Sequence, residues 1–213
     1  VTSIRALALA ALLLVAPAPL HADRARDLAD LGNPTSVAAR QHGARGLGQS
    51  GTMRDLPALV RALHDTDPMV RAFSEASMWE IWSRSGEEEI DRLFAVGVEQ
   101  MDARQAEAAL ETFSRIIGRR PDFAEGWNKR ATIYYLLGEY ERSLADCAEV
   151  MKRNPYHFGA LSGYGMIFMR LGEPETALGY FERALAINPN LHGVEEAAQA
   201  LRRLLIEKRQ HTL

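Results

Sequence analysis

Three features of this chain could in principle support catalysis or metal binding: a serine beside glycines, a histidine close to a glutamate, and a cysteine. Ser162 lies in the segment ALSGYG. A nucleophile elbow requires glycine two residues before the serine, and Ala160 stands there instead. His192 and Glu195 share one helical face, but no second histidine at ligand spacing accompanies them. The remaining histidines are scattered. Cys147 is the only cysteine, so neither an internal disulfide nor a thiolate zinc site can be built. No glycine-rich phosphate loop follows a strand-like run. These residues predict no enzyme, no metal and no cofactor, so function must come from the shape of the elements that carry them.

Composition sets the frame for those elements. Hydrophobic residues make up 47% of the chain and charged residues 25%, which suits a packed fold rather than a disordered one. The net charge of −3 is spread without a Lys/Arg block, which argues against nucleic acid or an anionic membrane as partner. Residues 1–22 read as a secretory signal peptide. Arg5 precedes an apolar run from Ala6 to Val15, followed by Pro17, Pro19 and small residues up to Ala22. The run is too short to span a bilayer. Cleavage after Ala22 predicts a mature chain that starts at Asp23, has no membrane span, and is periplasmic or secreted beyond the envelope.

A period of 34 residues organises the rest. Pro121, Pro155 and Pro189 fall on it, as do Gly138 and Gly172. Gly97, Ala131 and Gly165 form a third column, Phe113, Cys147 and Phe181 a fourth, and Ala109, Ser143 and Ala177 a fifth. Small residues in mid-helix predict close helix–helix approach. Gly138 and Gly172 predict left-handed helix ends, and the prolines stop the following helices. The segment AEGWNKRATIYYLLGEYERSLADCAEVMKRNP resembles the tetratricopeptide repeat, a helix–turn–helix unit, through Trp127, Ala131, Tyr134, Gly138 and Pro155. The last repeat matches through Leu161, Gly165, Phe168, Gly172, Ala177, Phe181, Ala184 and Pro189. The first departs from the pattern, with Leu93 in place of an aromatic and Arg104 in place of the turn glycine. The resemblance implies an all-α fold, a right-handed α-solenoid of antiparallel helix pairs. Three repeats occupy residues 87–190 (about 90–123, 124–157 and 158–191), and a capping helix and tail occupy 192–213. Val194, Ala197, Ala198, Leu201, Leu204 and Leu205 form the apolar face of that helix.

Residues 51–86 break the 34-residue register and resemble a HEAT repeat, through Leu56, Pro57, Leu59 and Leu63, then Asp65 and Pro68, then Val70 and Arg71. Residues 23–50 fit either a degenerate copy or a linker, since Gly43, Gly46, Gly48 and Gly51 weaken a helix there. Trp79 and Trp82 share a face and suit either junction packing or partner contact. Tyr156, His157 and Phe158 are equally open.

The resemblance also implies a surface, because the first helices of such repeats line a concave groove that takes protein segments. Carried onto this sequence, the groove positions are Phe94, Val98, Met101 and Asp102, then Asn128, Thr132 and Tyr135, then Ser162, Met166, Met169 and Arg170, with Asp91, Glu125 and Leu136 beside them. One subfamily clamps acidic tails with Lys, Arg and Asn. Here Asn128 and Arg170 alone are available for that role, and Asp91, Asp102 and Glu125 oppose it. Apolar, methionine-bearing positions instead imply a partner segment with apolar anchors. The expected function is a non-enzymatic protein–protein adaptor of the bacterial cell envelope. The alternative is an architectural subunit that assembles through the solenoid ends.

Overall fold

A computed structural model describes residues 20–210 of the 213, so the leader read from residues 1–22 lies almost wholly outside the described part. Among the described residues every α or 3-10 element is a helix and there is no strand, as the repeat pattern implies. The helices are α1 (Leu20–Leu31), α2 (Val37–Ser50), α3 (Leu56–Ala62), α4 (Pro68–Trp82), α5 (Glu88–Asp102), α6 (Ala106–Arg119), α7 (Ala124–Leu136), α8 (Tyr140–Arg153), α9 (Phe158–Arg170), α10 (Pro174–Ile187) and α11 (His192–Gln210). A 3-10 turn at Met53–Asp55 lies between α2 and α3.

Helices α5 to α10 form three antiparallel pairs, and each pair closes on one contact. The Phe113 ring fills the space beside Gly97, and Phe181 does the same beside Gly165. Phe113, Cys147 and Phe181 are all buried, so the fourth column of the repeat is core in every pair. Full burial of each phenylalanine contributes about 1.5–3 kcal/mol. The turns follow the glycine rule where glycine is present, with Gly138 at φ 77° and Gly172 at φ 75°. Arg104 occupies the matching place in the first repeat and takes φ 58°, so the turn forms there against the steric preference of an L-residue. Tertiary contacts of α5 and α6 hold it.

The segment left open between repeat and linker is a helix pair, α1 and α2. Its glycines mark close packing rather than looseness. A Cβ on Gly43 would lie 2.3 Å from the backbone of Asp27 and of Leu31. Ser36 caps α2 by accepting from the Ala39 amide, and Asp67 caps α4 by accepting from Val70, with Pro68 opening the helix. Ion pairs tie these helices to their neighbours, Arg24 Nε to Asp55 at 2.8 Å and Arg40 Nε to Asp65 at 2.7 Å. The Arg40 hydrogen bond, assisted by the Asp67 amide, holds the Asp65 carboxyl below the usual carboxylate range.

What the repeat period did not announce is where α1–α4 sit. Their apolar core runs on into the third repeat through Phe158, Leu161 and Ala184, with Met151 and Tyr156 of the second packed against it, and not into the separate core of the first. The block therefore lies along the edge where successive repeats join. Asn190, in the turn before α11, accepts from Arg71 and donates to the Leu63 carbonyl, both at 2.9 Å. At the far end, α11 covers the last pair with Ala198, Leu201 and Leu205 buried. Leu204, assigned to that apolar face from sequence, is 50% exposed instead, because α11 turns it past the edge of α10.

Candidate functional site

The first helices of the pairs, α5, α7 and α9, present the surface on which the groove residues were placed. Between α7 and α9 lies a narrow cleft of about 70 Å³, lined by Asn128, Thr132, Tyr135 and Met166. Its floor is small, made of Ala131, Gly159, Ala160 and Gly163, so side chains at the rim stand above a recess. Arg170 Nε approaches the Tyr135 hydroxyl at 3.4 Å, which bridges the two helices at the rim and raises the Arg170 guanidinium. Met166 and Met169 are 42% and 46% exposed. Cys147 also borders the recess, and burial pushes its thiol up to about 12, so it stays protonated at neutral pH.

A second and more apolar cleft, of about 400 Å³, opens between the α5–α6 turn and α7 and is lined by Met101, Arg104, Ala106, Ile133 and Leu136. Leu136 is 72% exposed, the most exposed large apolar side chain among the described residues.

The structure brings together only part of the predicted groove. Asn128, Thr132, Tyr135 and Met166 share one cleft, Met169 and Arg170 flank it, and Met101 lines the other. Asp102 is exposed at the end of α5. Val98 is half-buried and packs on the core of the first repeat. Ser162 is half-buried and donates its hydroxyl to the Phe158 carbonyl at 2.8 Å, a bond along its own helix. Phe94 is a correction. It is 8% exposed, with its ring 5.8 Å from Phe113 and 5.5 Å from Phe123. Ile90, Phe94 and Gly97 follow a helical spacing whose shared face points into the pair, so the ring is core.

Glu125 is a second correction, and it leads to a cluster that the sequence did not reveal. Its carboxylate is buried and accepts from His157 Nε2 at 2.9 Å and from Asn128 Nδ2 at 2.9 Å, with Lys129 Nζ at 3.3 Å. Burial works to raise this carboxyl. The hydrogen bond from His157, with Lys129 and Asn128, outweighs it and holds the group below the usual range. His157 Nδ1 accepts from the Ala160 amide at 3.0 Å and so caps α9. With Nδ1 accepting, the ring carries its proton on Nε2 and donates it to Glu125. The imidazole stacks on Trp82 at 4.4 Å between centroids, and Trp79 meets it edge-on at 5.6 Å. Trp79 and Trp82 are thus packing residues that hold α4 against the α8–α9 turn, and His157 and Phe158 receive them. Asn128 connects this buried cluster to the floor of the α7–α9 cleft. His157 lies 32 residues from Glu125 in sequence. The one local sign was His157 three residues before Ala160, at a helix start.

Among the described residues no three His, Cys, Asp or Glu side chains are placed to hold a metal ion, and no helix is long and apolar enough to cross a membrane.

Comparisons with known proteins bear on the repeats. Residues 95–157 and 158–191 match two models of the tetratricopeptide repeat. A TPR repeat-containing protein of Rhizobium etli is 35% identical over 127 residues, 60% of this chain and 60% of that protein. Anaphase-promoting complex subunit 3 of Schizosaccharomyces pombe is 30% identical over 87 residues, 41% of this chain and 13% of that one. The chain thus spans about three fifths of the first relative and about an eighth of the second. The Sgt2 TPR domain of Aspergillus fumigatus superposes with a TM-score of 0.54 at 17% identity, covering 58% of this chain and 83% of that one. The first TPR of Spaghetti (RPAP3), solved with an HSP90 peptide, gives 0.53 at 20% identity, covering 55% and 93%. These two likenesses establish the fold.

Proposed function

We propose, from the premise that residues 95–191 are built of tetratricopeptide repeats, that this protein is a non-catalytic adaptor that binds a segment of another protein along α5, α7 and α9. The observation that carries this reading is the α7–α9 recess. Small residues on two helices leave a channel, and exposed Met166, Met169 and half-buried Tyr135 stand beside it with the polar ends of Asn128 and Thr132. Polarizable methionines and a tyrosine suit apolar or aromatic anchors, and Asn128 supplies an amide for the partner's backbone. That the Spaghetti domain was solved with a peptide supports a protein segment as the class of partner. An acidic tail is not the favoured ligand, because buried Glu125 already engages Asn128 and Lys129. The leader-like residues 1–22 support a place in the bacterial envelope, outside the cytoplasm, for the mature chain. The HEAT-like reading of α3 and α4 belongs to the same proposal, with α1–α4 as a brace on the repeats.

Alanine at Met166 or Met169 tests the reading. Each variant is expected to weaken partner binding by about 1–2 kcal/mol while the thermal midpoint stays close to that of the parent. Binding should depend only weakly on salt, since apolar contact is not screened as ion pairs are. Titration calorimetry with the partner segment at two salt concentrations reads both. Binding that collapses in moderate salt, or is indifferent to both substitutions, would remove the apolar-anchor reading.

A further inference from the structure

A third cleft, of about 190 Å³, lies where the α1–α4 block meets the start of α7 and the end of α8. Its lining joins apolar Met53, Phe123 and Ala124 to two buried donors that lack partners. Trp82 is 3% exposed and Asn154 fully buried, yet neither Trp82 Nε1 nor Asn154 Nδ2 meets an acceptor from the protein. Three guanidinium groups, Arg84, Arg120 and Arg153, border the same space. Arg120 pairs with Asp122 at 3.0 Å and with Glu87, and Arg153 pairs with Glu149 at 2.6 Å. Arg84 donates to the carbonyls of Gly48 and Gly51, which fix its direction, and no carboxylate pairs with it among the described residues. Ala124, which opens α7, also lines the cleft, and no side chain caps that helix.

The Asn154 amide alone would not mark a site. Asn188, its counterpart 34 residues on, leaves its own Nδ2 unpaired without lining this cleft. The convergence marks it. The stack of Trp82 on His157 fixes the plane of the indole and hence the direction of its N–H. A second orphaned donor, the Arg84 guanidinium without a carboxylate and the positive end of a helix border the same space. Buried donors call for an acceptor, and guanidinium groups favour one that is charged and carries several oxygens. The volume is below the roughly 300–1,000 Å³ of pockets for larger ligands, so the occupant is small.

We propose that this cleft binds a small oxyanion, a carboxylate or phosphate group, held by Trp82 Nε1, Asn154 Nδ2 and Arg84, and that the bound ion joins the α1–α4 block to the repeats. The site is separate from the α7–α9 recess and does not depend on the partner-binding reading.

The test follows the indole N–H resonances of the full chain by ¹H–¹⁵N spectroscopy during titration with sodium phosphate or sodium succinate. Sodium chloride keeps the ionic strength constant. Trp82→Phe assigns the Trp82 signal by its loss. The expected result is a saturable shift of the Trp82 resonance with at least one of the two anions. Saturation by phosphate alone assigns a tetrahedral oxyanion, and saturation by succinate a carboxylate. Arg84→Gln, whose dispersed spectrum verifies its fold, should raise the midpoint by at least about tenfold, the weight of a hydrogen bond from a charged group. A linear drift with both anions, or a midpoint unchanged in Arg84→Gln, would overturn the proposal and leave the two donors to water.

Discussion

Gly165→Leu is expected to lower the unfolding free energy by about 3 kcal/mol, at the upper end of what overpacking costs. The reason is geometric. A Cβ alone, built on Gly165, lies 2.3 Å from Phe181 Cε1 and 2.4 Å from Cδ1, and a leucine must drive that ring out of a site where it is 1% exposed. Phe181 cannot move far, because Ala177, Ala198 and Leu201 pack with it. Gly179, on the same pair of helices, has nothing within 4 Å of its would-be Cβ. Gly179→Ala should therefore raise stability by about 0.5–1 kcal/mol through helix propensity. Urea denaturation of both variants, monitored by circular dichroism, gives the comparison. Equal midpoints would mean that α9 and α10 do not meet at this glycine.

The second large effect is expected at His157. Its replacement by alanine removes the cap on α9, the stack beneath Trp82 and one of the hydrogen bonds to a buried carboxylate. We expect a loss of about 3 kcal/mol, the sum of a lost hydrogen bond to a charged group and the lost packing of the ring. Glu125→Gln should cost less, about 1 kcal/mol, because a carbonyl oxygen still accepts from Nε2–H. Because Trp82 sits on the imidazole, His157→Ala should also loosen α1–α4. Proteolysis under native conditions should then cut first near residues 83–87, in the link between α4 and α5. A His157→Ala protein with the parent's midpoint and cleavage pattern would show that the cluster does not hold the block in place.

Much of the repeat architecture was legible because it rests on local and periodic constraints. A left-handed turn wants glycine, so Gly138 and Gly172 announced two helix ends. A close helix contact wants a small residue, so Gly97 and Gly165 announced a close approach, and the structure supplies Phe113 and Phe181 as the facing rings. Arg104 shows where that logic stops, since the first turn forms without its glycine. The groove was legible only in part. Its positions came from the family pattern, which does not know that Ile90 and Phe94 form one face with Gly97 and turn inward. Nor could spacing reveal that Glu125 reaches His157, or that Trp82 lies on that ring. Those contacts depend on how α1–α4 fold back along the repeat edge, a long-range choice made by Phe158, Leu161 and Ala184 rather than by any local run of sequence. The glycines of α2 misled for a related reason, since glycine weakens a lone helix yet permits the backbone approach seen between Gly43 and Leu31.

The central claim is that a partner segment lies across α7 and α9, and site-resolved photocrosslinking tests it most directly. A photoreactive amino acid would replace Met166, at the rim of the recess, or Glu111, an exposed residue on α6 away from it. The account predicts that the Met166 position crosslinks to one defined segment bearing apolar or aromatic side chains. It also predicts that Tyr135→Ala diminishes that product and that the Glu111 position gives none. A product formed from Glu111 and absent from Met166 would place the partner elsewhere and contradict the account.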